Sequence, residues 1–370
     1  MEIGQIRPYA WKDWAERARA SADPASAAVL RIAVGTVGAA SIIRLFWTGW
    51  LESLYALPAH HLAYPGLDWI PTPGPAGIRA LATVAGMAAI AFALGWHHRT
   101  AGAVYFLTFT WLELIEATTY LNHYWFLSSI VLLLTLLPSH AAWSLDARAG
   151  RAAGDFPTYG IWALRAQVIC VYFFAGIAKL HGDWLVSGLP LGLWLPARSS
   201  LPLIGGMLEQ PATALVASWA GALFDLTIGA LLLWRRSRPW AFAALVGFHA
   251  LTALLLPSLG AFPYVMAVAV TIFFDPGWPR RWVRTSSRAQ PSTPVRQNLL
   301  VPALAALWIA FQWMLPMRQA LIPGDPRWTG EGYRFSWNVV ATEKTGSLVL
   351  WATDPLTAER TPIDPTEYFT

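Results

Sequence analysis

Long apolar runs that are almost free of charged residues divide the sequence, and this pattern restricts the chain to a membrane. A helix needs about 20 mainly apolar residues to cross the hydrocarbon core of a bilayer. Only 13% of the 370 residues are charged, against about 25% in an ordinary soluble domain. The sequence therefore predicts an all-α polytopic membrane protein with about nine transmembrane helices, at residues 27–50, 76–96, 100–117, 121–138, 161–180, 212–234, 239–256, 261–275 and 299–316.

The basic residues alternate between successive loops, and this alternation predicts the orientation of the chain. Arginine or lysine occurs before the first run and after the second, fourth, sixth and eighth runs, whereas the other loops between runs contain only Arg198. Because cytoplasmic loops carry an excess of these residues, we expect the N-terminus inside and the C-terminus outside. The net charge is +5, but basic residues in short clusters between apolar runs argue against a nucleic-acid partner.

The regions outside the apolar runs predict a chain of three parts. Residues 1–26 are expected to form a cytoplasmic interfacial segment, in which residues 9–22 have the pattern of an amphipathic helix. Residues 27–316 are expected to form the transmembrane domain. Residues 317–370 are expected to form a small extracytoplasmic tail, in which residues 347–351 alternate between polar and apolar as β-strands do.

Most of the polar and ionisable residues within the apolar runs lie toward one membrane face. An ionisable side chain in hydrocarbon is costly, so each one is a candidate for function. With the predicted orientation, the residues in the outer half are Arg44, Glu113, Glu116, Asn122, His123, Lys179 and His249. Asp225 lies near the middle of the sixth run, and Arg31, Arg165 and Gln167 lie near inner ends. This clustering predicts an outward-opening cavity that is filled with water or has the size of a quinone.

The three residues of greatest interest also have structural interpretations. Lys179 could extend its charged end to the outer interface, or it could be a buried amine that serves as a base. His123 could tether a helix end, and His249 could be a neutral core histidine that bonds to a backbone carbonyl. Each histidine could instead belong to a functional site.

Charged neighbours are expected to support these residues. Asp225 and Arg44 are predicted to form a buried structural pair with each other, or with Arg165 or a glutamate. Asp183 follows Lys179 by one turn and is expected to tune it. The single cysteine, Cys170, excludes an internal disulfide, and since no metal-ligand spacing occurs, we predict no metal site.

Several stretches resemble one known family. Residues 165–184 (RAQVICVYFFAGIAKLHGDW) resemble a signature of the vitamin K-dependent γ-carboxylases and of their bacterial relatives with a horizontally transferred transmembrane (HTTM) domain. Six further stretches agree in the same order along the chain: YPGLDW at 64–69, YLNHY at 120–124, FDL at 224–226, FH at 248–249, GAFPYVM at 260–266 and GEGYRFSW at 330–337. The resemblance covers about residues 28–345, so it concerns most of the chain.

The resemblance implies a specific chemistry. Enzymes of this family use reduced vitamin K (phylloquinol or menaquinol), O2 and CO2. The lysine that matches Lys179 acts as the base that deprotonates the hydroquinone, and addition of oxygen gives a strongly basic species. That species removes a proton from the γ-carbon of a glutamate, the carbanion takes up CO2, and the quinone leaves as its epoxide. The histidine that matches His123 has a supporting role, and the one that matches His249 lies in the quinone region.

On this basis we assign expected roles to individual residues. The expected catalytic residues are Lys179 and His123. The expected cofactor-binding residues are His249, Asn122, Tyr172, Trp184 and Tyr264. The expected structural or supporting residues are Arg44, Asp225, Arg165, Gln167, Asp183 and Glu116.

The sequence thus predicts a membrane enzyme that oxidises a reduced naphthoquinone to the epoxide, and it leaves open whether a glutamate-containing peptide or protein is carboxylated. The eukaryotic enzymes carry a large lumenal domain that binds a propeptide, whereas this chain has only a short tail after its last run. A non-catalytic quinone- or lipid-binding protein and a transporter are the alternatives, the latter disfavoured because no inverted halves are visible. The expected location is a bacterial cytoplasmic membrane, with the site facing outward.

Overall fold

Helices make up most of the fold. The computed structural model describes residues 18–152, 156–256, 260–283, 299–339 and 349–364. Within these residues, nine helices of eight or more residues follow one another, each overlapping one predicted span: α1 (Ala25–Trp47), α2 (Pro75–Leu94), α3 (His98–Ile115), α4 (Asn122–Leu136), α5 (Thr158–Ile177), α6 (Pro211–Leu233), α7 (Arg238–Leu255), α8 (Phe262–Ala269) and α9 (Leu300–Met317).

Six of these helices are long and apolar enough to cross a membrane. They are α1, α2, α5, α6, α7 and α9, the last taken together with the turn that follows it. The shorter apolar helices are α4 and α8, of which α8 continues as a 3-10 turn to Phe273. A mostly helical, multi-pass membrane protein is therefore confirmed, whereas the count of nine spans and the orientation stay predictions.

Short elements connect the helices. The described residues contain two small antiparallel sheets, β1 (Ser21–Ala22) with β2 (Phe156–Pro157) and β3 (Leu350–Thr353) with β4 (Arg360–Ile363). The remaining elements are a π-helical turn at Glu52–Ala56 and short turns at Ala117–Thr119, Ser139–Ala141, Leu145–Arg148, Gly182–Leu185, Leu191–Trp194, Pro196–Arg198, Gly205–Leu208, Trp278–Arg281, Arg318–Leu321 and Pro326–Thr329.

The two local predictions outside the apolar runs have different outcomes. The predicted strand at 347–351 is confirmed from Leu350 onward, where β3 begins; residues 347 and 348 lie outside the described residues. The predicted helix at 9–22 lies mostly outside the described residues as well. Its last two residues form β1, paired with β2, so the helix was predicted to extend too far.

Arginines near the end of the bundle opposite Lys179 hold helix ends together. Arg31 is fully buried, and its guanidinium donates to the carbonyl oxygens of Ser139 (2.8 Å), Ala142 (3.3 Å) and Trp143 (2.6 Å). Arg165 donates to the carbonyl oxygens of three consecutive residues that follow α8, from Ile272 to Phe274. Carbonyls at a helix C-terminus lack partners within the helix, so these arginines support the architecture.

Gly176 allows α5 and α6 to approach each other closely near Lys179. A Cβ atom at Gly176 would lie 2.7 Å from Leu226 Cγ and 3.0 Å from the Leu226 backbone nitrogen. Small residues permit such close approach of membrane helices. Gly176 precedes Lys179 by three residues and Leu226 follows Asp225, so this contact brings the two charged residues face to face.

We expect Gly176→Ala to separate α5 from α6, because the added methyl group meets backbone as well as a side chain. Overpacking of this kind lowers the free energy of unfolding by about 1–3 kcal/mol. Gly247→Ala is the matched control, since a Cβ atom at that helical position meets nothing within 4 Å. Thermal unfolding in detergent should show a clear loss for the first variant and none for the second; equal effects would contradict the close-contact account.

Candidate functional site

A cavity of about 420 Å³ lies at the end of the bundle at which α5 ends. Its walls come from the start of α4, the end of α5, the middle of α6, the end of α7, the start of α8 and residues 337–339. Most of the wall is apolar, and its aromatic members are Tyr172, Trp184, Trp194, Phe224, Phe248, Phe262 and Trp337. Such a concave apolar site with a few convergent polar groups is typical of a small-molecule site.

An ion pair lies in the wall of this cavity. Lys179 Nζ is 2.5 Å from Asp225 Oδ2, and both residues are almost fully buried, with exposed fractions of 6% and 5%. Lys179 Nζ also donates to the Ala175 carbonyl oxygen at 3.0 Å. An ammonium group has three donors, so one donor is left for a ligand in the cavity. Lys179 is therefore not a lysine that extends into the interface.

Aromatic side chains surround the same amine. Lys179 Nζ lies 5.2 Å from the centre of the Trp184 ring, a distance at which a cation is attracted to the ring face. The indole nitrogen of Trp184 donates to the Ser218 carbonyl oxygen at 2.8 Å, which fixes the ring against α6. Trp184 was predicted as a cofactor-binding residue, and it lines the cavity next to Lys179.

A tyrosine–histidine pair forms a second polar feature of the wall. Tyr172 Oη and His249 Nε2 are 2.7 Å apart, which joins α5 to α7. Neither side chain is exposed beyond 3%. The other ring nitrogen, His249 Nδ1, is buried and has no hydrogen-bond partner among the described residues. A buried polar atom without a partner costs free energy, so it is available to a ligand.

His123 and Asn122 form the third polar feature, at the start of α4. Both line the cavity. The His123 ring lies 6.4 Å from the ring of Phe262, which in turn lies 5.9 Å from the ring of His249. Asn122 Nδ2 donates to the Asn338 carbonyl oxygen at 2.6 Å. Asn122 thus connects α4 to a C-terminal segment, and His123 faces the same cavity as Lys179.

That C-terminal segment, residues 330–339, is here named the strap. Phe335 and Trp337 have positive φ angles of 61° and 60°, a conformation that costs free energy for residues other than glycine. The Phe335 backbone N–H donates to Tyr120 Oη at 2.9 Å, and Trp337 is only 2% exposed. Strained backbone persists where the surrounding structure requires it, so the strap is firmly seated against the cavity.

The structure adds residues to the site that the sequence did not single out. Trp337 and Asn338 line the cavity from the strap, whose stretch was noted only as a motif. Phe224 and Phe248 stack with ring centres 4.2 Å apart and an angle of 18° between their planes. Phe224 directly precedes Asp225, and Phe248 directly precedes His249. Their position next to predicted site residues is the feature of the sequence that could have identified them.

The predicted pairing of Asp225 and Arg44 was wrong. Asp225 pairs with Lys179 rather than with Arg44 or Arg165. Arg44 is exposed, and its guanidinium lies 4.6 Å from the centre of the Trp50 ring. Asp183 pairs with Arg327 at 3.2 Å, and its expected effect on Lys179 stays a prediction.

Other predicted residues lie outside the cavity wall. Tyr264 is 66% exposed and is not among the described residues that line the cavity. Glu116 accepts from the backbone N–H groups of Thr118 and Leu62, so it orders the chain ahead of α4. Gln167 is fully buried and lies 3.5 Å from Gln312, through which α5 contacts α9.

A charged network lies in the loops that follow α5 and α9. Arg327 contacts Asp183, which follows α5, and Asp325, which follows α9. The hydrogen bond from Arg327 lowers the pKa of Asp325 to about 2, so the Asp325 carboxylate is charged at neutral pH. Among the described residues, no three His, Cys, Asp or Glu side chains come together as ligands for a metal ion.

Comparison with known families covers nearly all of the chain. Residues 20–278 match the HTTM domain, and residues 297–370 match the vitamin K-dependent gamma-carboxylase, lumenal domain. No solved structure matches the chain. The first match contains α1 to α8, and the second contains α9, the strap and the β3–β4 hairpin, so both matched regions contribute walls to the cavity.

The buried ion pair predicts strongly coupled effects of substitution. Lys179→Met or Asp225→Asn alone leaves one buried group without its partner, and each should lower the free energy of unfolding by about 3–5 kcal/mol. The double variant removes both groups and should recover most of that loss. Denaturation of all four proteins in the same detergent measures the coupling; additive effects would contradict a direct pair.

Proposed function

The chain belongs to the HTTM-domain family, and we propose that it is a membrane enzyme that oxidises a reduced naphthoquinone with O2 to the epoxide. Its residues 297–370 also match the gamma-carboxylase lumenal domain. The matches confirm the family resemblance that the sequence motifs indicated, and they identify a carboxylase-like membrane protein. The epoxide-forming reaction is our more specific proposal, and the buried Lys179–Asp225 pair in an apolar cavity is the observation that carries it.

The cavity suits a flat aromatic ring that carries oxygen atoms. Its volume of about 420 Å³ lies within the range of sites for small organic ligands, about 300–1,000 Å³. The stacked Phe224 and Phe248 rings offer an apolar face. His123 from α4, His249 from α7 and Lys179 from the end of α5 offer nitrogen atoms in the wall. Bound there, a naphthohydroquinone would supply the oxidisable ring and two acidic hydroxyl groups.

Lys179 is the proposed base, and Asp225 is the residue that makes this role feasible. A lysine can accept a proton only after it has given one up, and Asp225 Oδ2 is 2.5 Å away to receive it. Moving one proton from Nζ to Oδ2 leaves an uncharged amine beside an uncharged acid. Apolar surroundings penalise charged groups, so this neutral arrangement is accessible from the ion pair. The amine lone pair then accepts a proton from a hydroxyl group of the bound hydroquinone.

The remaining polar residues are proposed to hold the ring in place. Tyr172 keeps the His249 ring fixed through its 2.7 Å contact, so that His249 presents a defined edge to the ligand. Asn122 is held by the strap, and the adjacent His123 is thereby placed at the start of α4. We assign His123 a supporting role beside the reacting atoms, as the family resemblance implies.

The apolar wall is proposed to exclude water from the reaction. A strongly basic species is quenched by water, and a closed apolar site protects it. Trp337 and Phe262 line the cavity from the strap and from α8. A lipid-soluble quinone can enter from the membrane, and the alternation of basic loops supports a site on the outer face of a bacterial cytoplasmic membrane.

Carboxylation of a glutamate-containing peptide with CO2 is the second part of the proposal. The observation that favours it is the match of residues 297–370 to a lumenal domain of gamma-carboxylases. In this chain that region supplies Trp337 and Asn338 to the cavity wall. The proposed peptide would bind next to the strap.

Epoxide formation should depend on the amine of Lys179. With reduced vitamin K and O2, Lys179→Met should lower the rate of epoxide formation by about 10²–10⁴-fold, the usual contribution of a general base. Asp183→Asn is the control, since Asp183 is exposed and pairs with Arg327. It should leave the rate unchanged.

Chromatography of the quinone products measures the epoxide, and a glutamyl peptide with labelled CO2 reports carboxylation separately. A folded Lys179→Met protein that forms epoxide at the normal rate would overturn the role of Lys179. Epoxide without carboxylated peptide would restrict the activity to quinol oxidation. Ligand binding without any epoxide would favour a non-catalytic quinone-binding protein.

A further inference from the structure

A second cavity lies on the other side of the strap. Its volume is about 740 Å³, and its walls come from α3, α4, α9, residues 64–67 and the strap. Phe335 lines this second cavity, whereas Trp337, two residues later, lines the first. The strap therefore forms a wall between the two cavities, and nothing in the proposed reaction uses the second one.

The depth of the second cavity corresponds to one leaflet of a bilayer. On α9 and the turn after it, the lining residues extend from Arg318 back to Trp308, ten residues or about 15 Å along the helix axis. On α3 they extend from Leu114 back to Phe106, about 12 Å. Half of a hydrocarbon core about 30 Å thick is about 15 Å, so the cavity is about as deep as the hydrocarbon of one leaflet.

The deep part of the cavity is apolar and lies beside a lipid-facing surface. Phe106, Trp125 and Trp308 line this part. Phe311 belongs to the same wall and is 43% exposed. The outer side of α9 also exposes apolar residues such as Leu307 and Met314, as expected of a helix in contact with lipid. Hydrocarbon chains therefore have direct access to the cavity.

The shallow end of the cavity carries an excess of positive charge. Arg318 and Arg334 both line it, together with the carboxylate of Glu331. Arg318 donates to the carbonyl oxygens of Leu315 and Arg334 and to Ser336 Oγ. In the part of the chain that the structure describes, neither arginine forms an ion pair with a carboxylate. The Arg334 guanidinium lies 5.8 Å from the centre of the Tyr64 ring.

We propose that the second cavity binds an anionic phospholipid, with an acyl chain between α3 and α9 and the phosphate at Arg334 and Arg318. The combination of a leaflet-deep apolar cavity with cationic residues at the headgroup level supports this ligand. A peptide fits less well, since the deep walls are helices whose backbone groups already bond within the helix. The bound chain would support Phe335, and through the strap it would stabilise the wall of the first cavity.

The test compares two phospholipids that differ only in headgroup charge. The full-length protein is stripped of lipid in detergent and titrated with phosphatidylglycerol or with phosphatidylcholine of the same acyl chains, and native mass spectrometry counts the bound lipid. We expect tighter binding of phosphatidylglycerol. Arg334→Gln should reduce that preference about fivefold, the usual effect of one basic residue near an anionic lipid. Glu331→Gln should increase the preference, because it removes the opposing charge.

Arg236→Gln is the matched control, since it removes one exposed positive charge at the opposite end of the bundle. It should leave the preference unchanged. Thermal unfolding checks that each variant is folded, and Glu331→Gln still tests the proposal if Arg334→Gln proves unstable. Equal binding of the two phospholipids, or an equal loss in the Arg334 and Arg236 variants, would overturn the proposal.

Discussion

The buried ion pair between Lys179 and Asp225 is the interaction on which the site depends. Two opposite charges removed from water are costly unless their geometry is good and their other hydrogen bonds are satisfied. Here the Nζ–Oδ2 distance is 2.5 Å, and the Ala175 carbonyl oxygen accepts a second bond from the amine. Gly176 permits the helix contact that sets this distance. The backbone contact between α5 and α6 thus positions the ion pair, and the proposed chemistry of the cavity depends on that pair.

The strap extends this dependence to the C-terminal part of the chain. Trp337 and Asn338 complete a cavity whose other walls are helices of the HTTM-domain region. The positive φ angles of Phe335 and Trp337 indicate that tertiary contacts, rather than local preference, determine the path of the strap. Neither matched region forms the site alone, which gives a physical reason for both to occur in one chain.

Much of the fold and part of the site could be predicted from the sequence, because uninterrupted apolar runs and rare ionisable residues are strong signals in a membrane. The partner of Lys179 could not. Counting residues along each run placed Asp225 near the middle of α6 and Lys179 at the end of α5, so the two residues were predicted to lie at different depths. A helical side chain points back toward the N-terminus of its helix, and the Lys179 side chain accordingly reaches back to the Ala175 carbonyl oxygen. Tyr264 was wrongly predicted to line the cavity, because α8 buries its neighbours Pro263 and Val265 instead. The path of the strap could not be predicted, because its sequence has no helical or strand periodicity.

The central claim is that the uncharged amine of Lys179 can meet a naphthoquinone ring in the first cavity. An experimental structure of the protein with a bound naphthoquinone tests it most directly. The account predicts ring density against Phe224 and Phe248, with a ring oxygen within hydrogen-bonding distance of Lys179 Nζ, about 2.7–3.2 Å. Ring density in the second cavity, or a Lys179 amine that points away from the ring into lipid or solvent, would contradict the account.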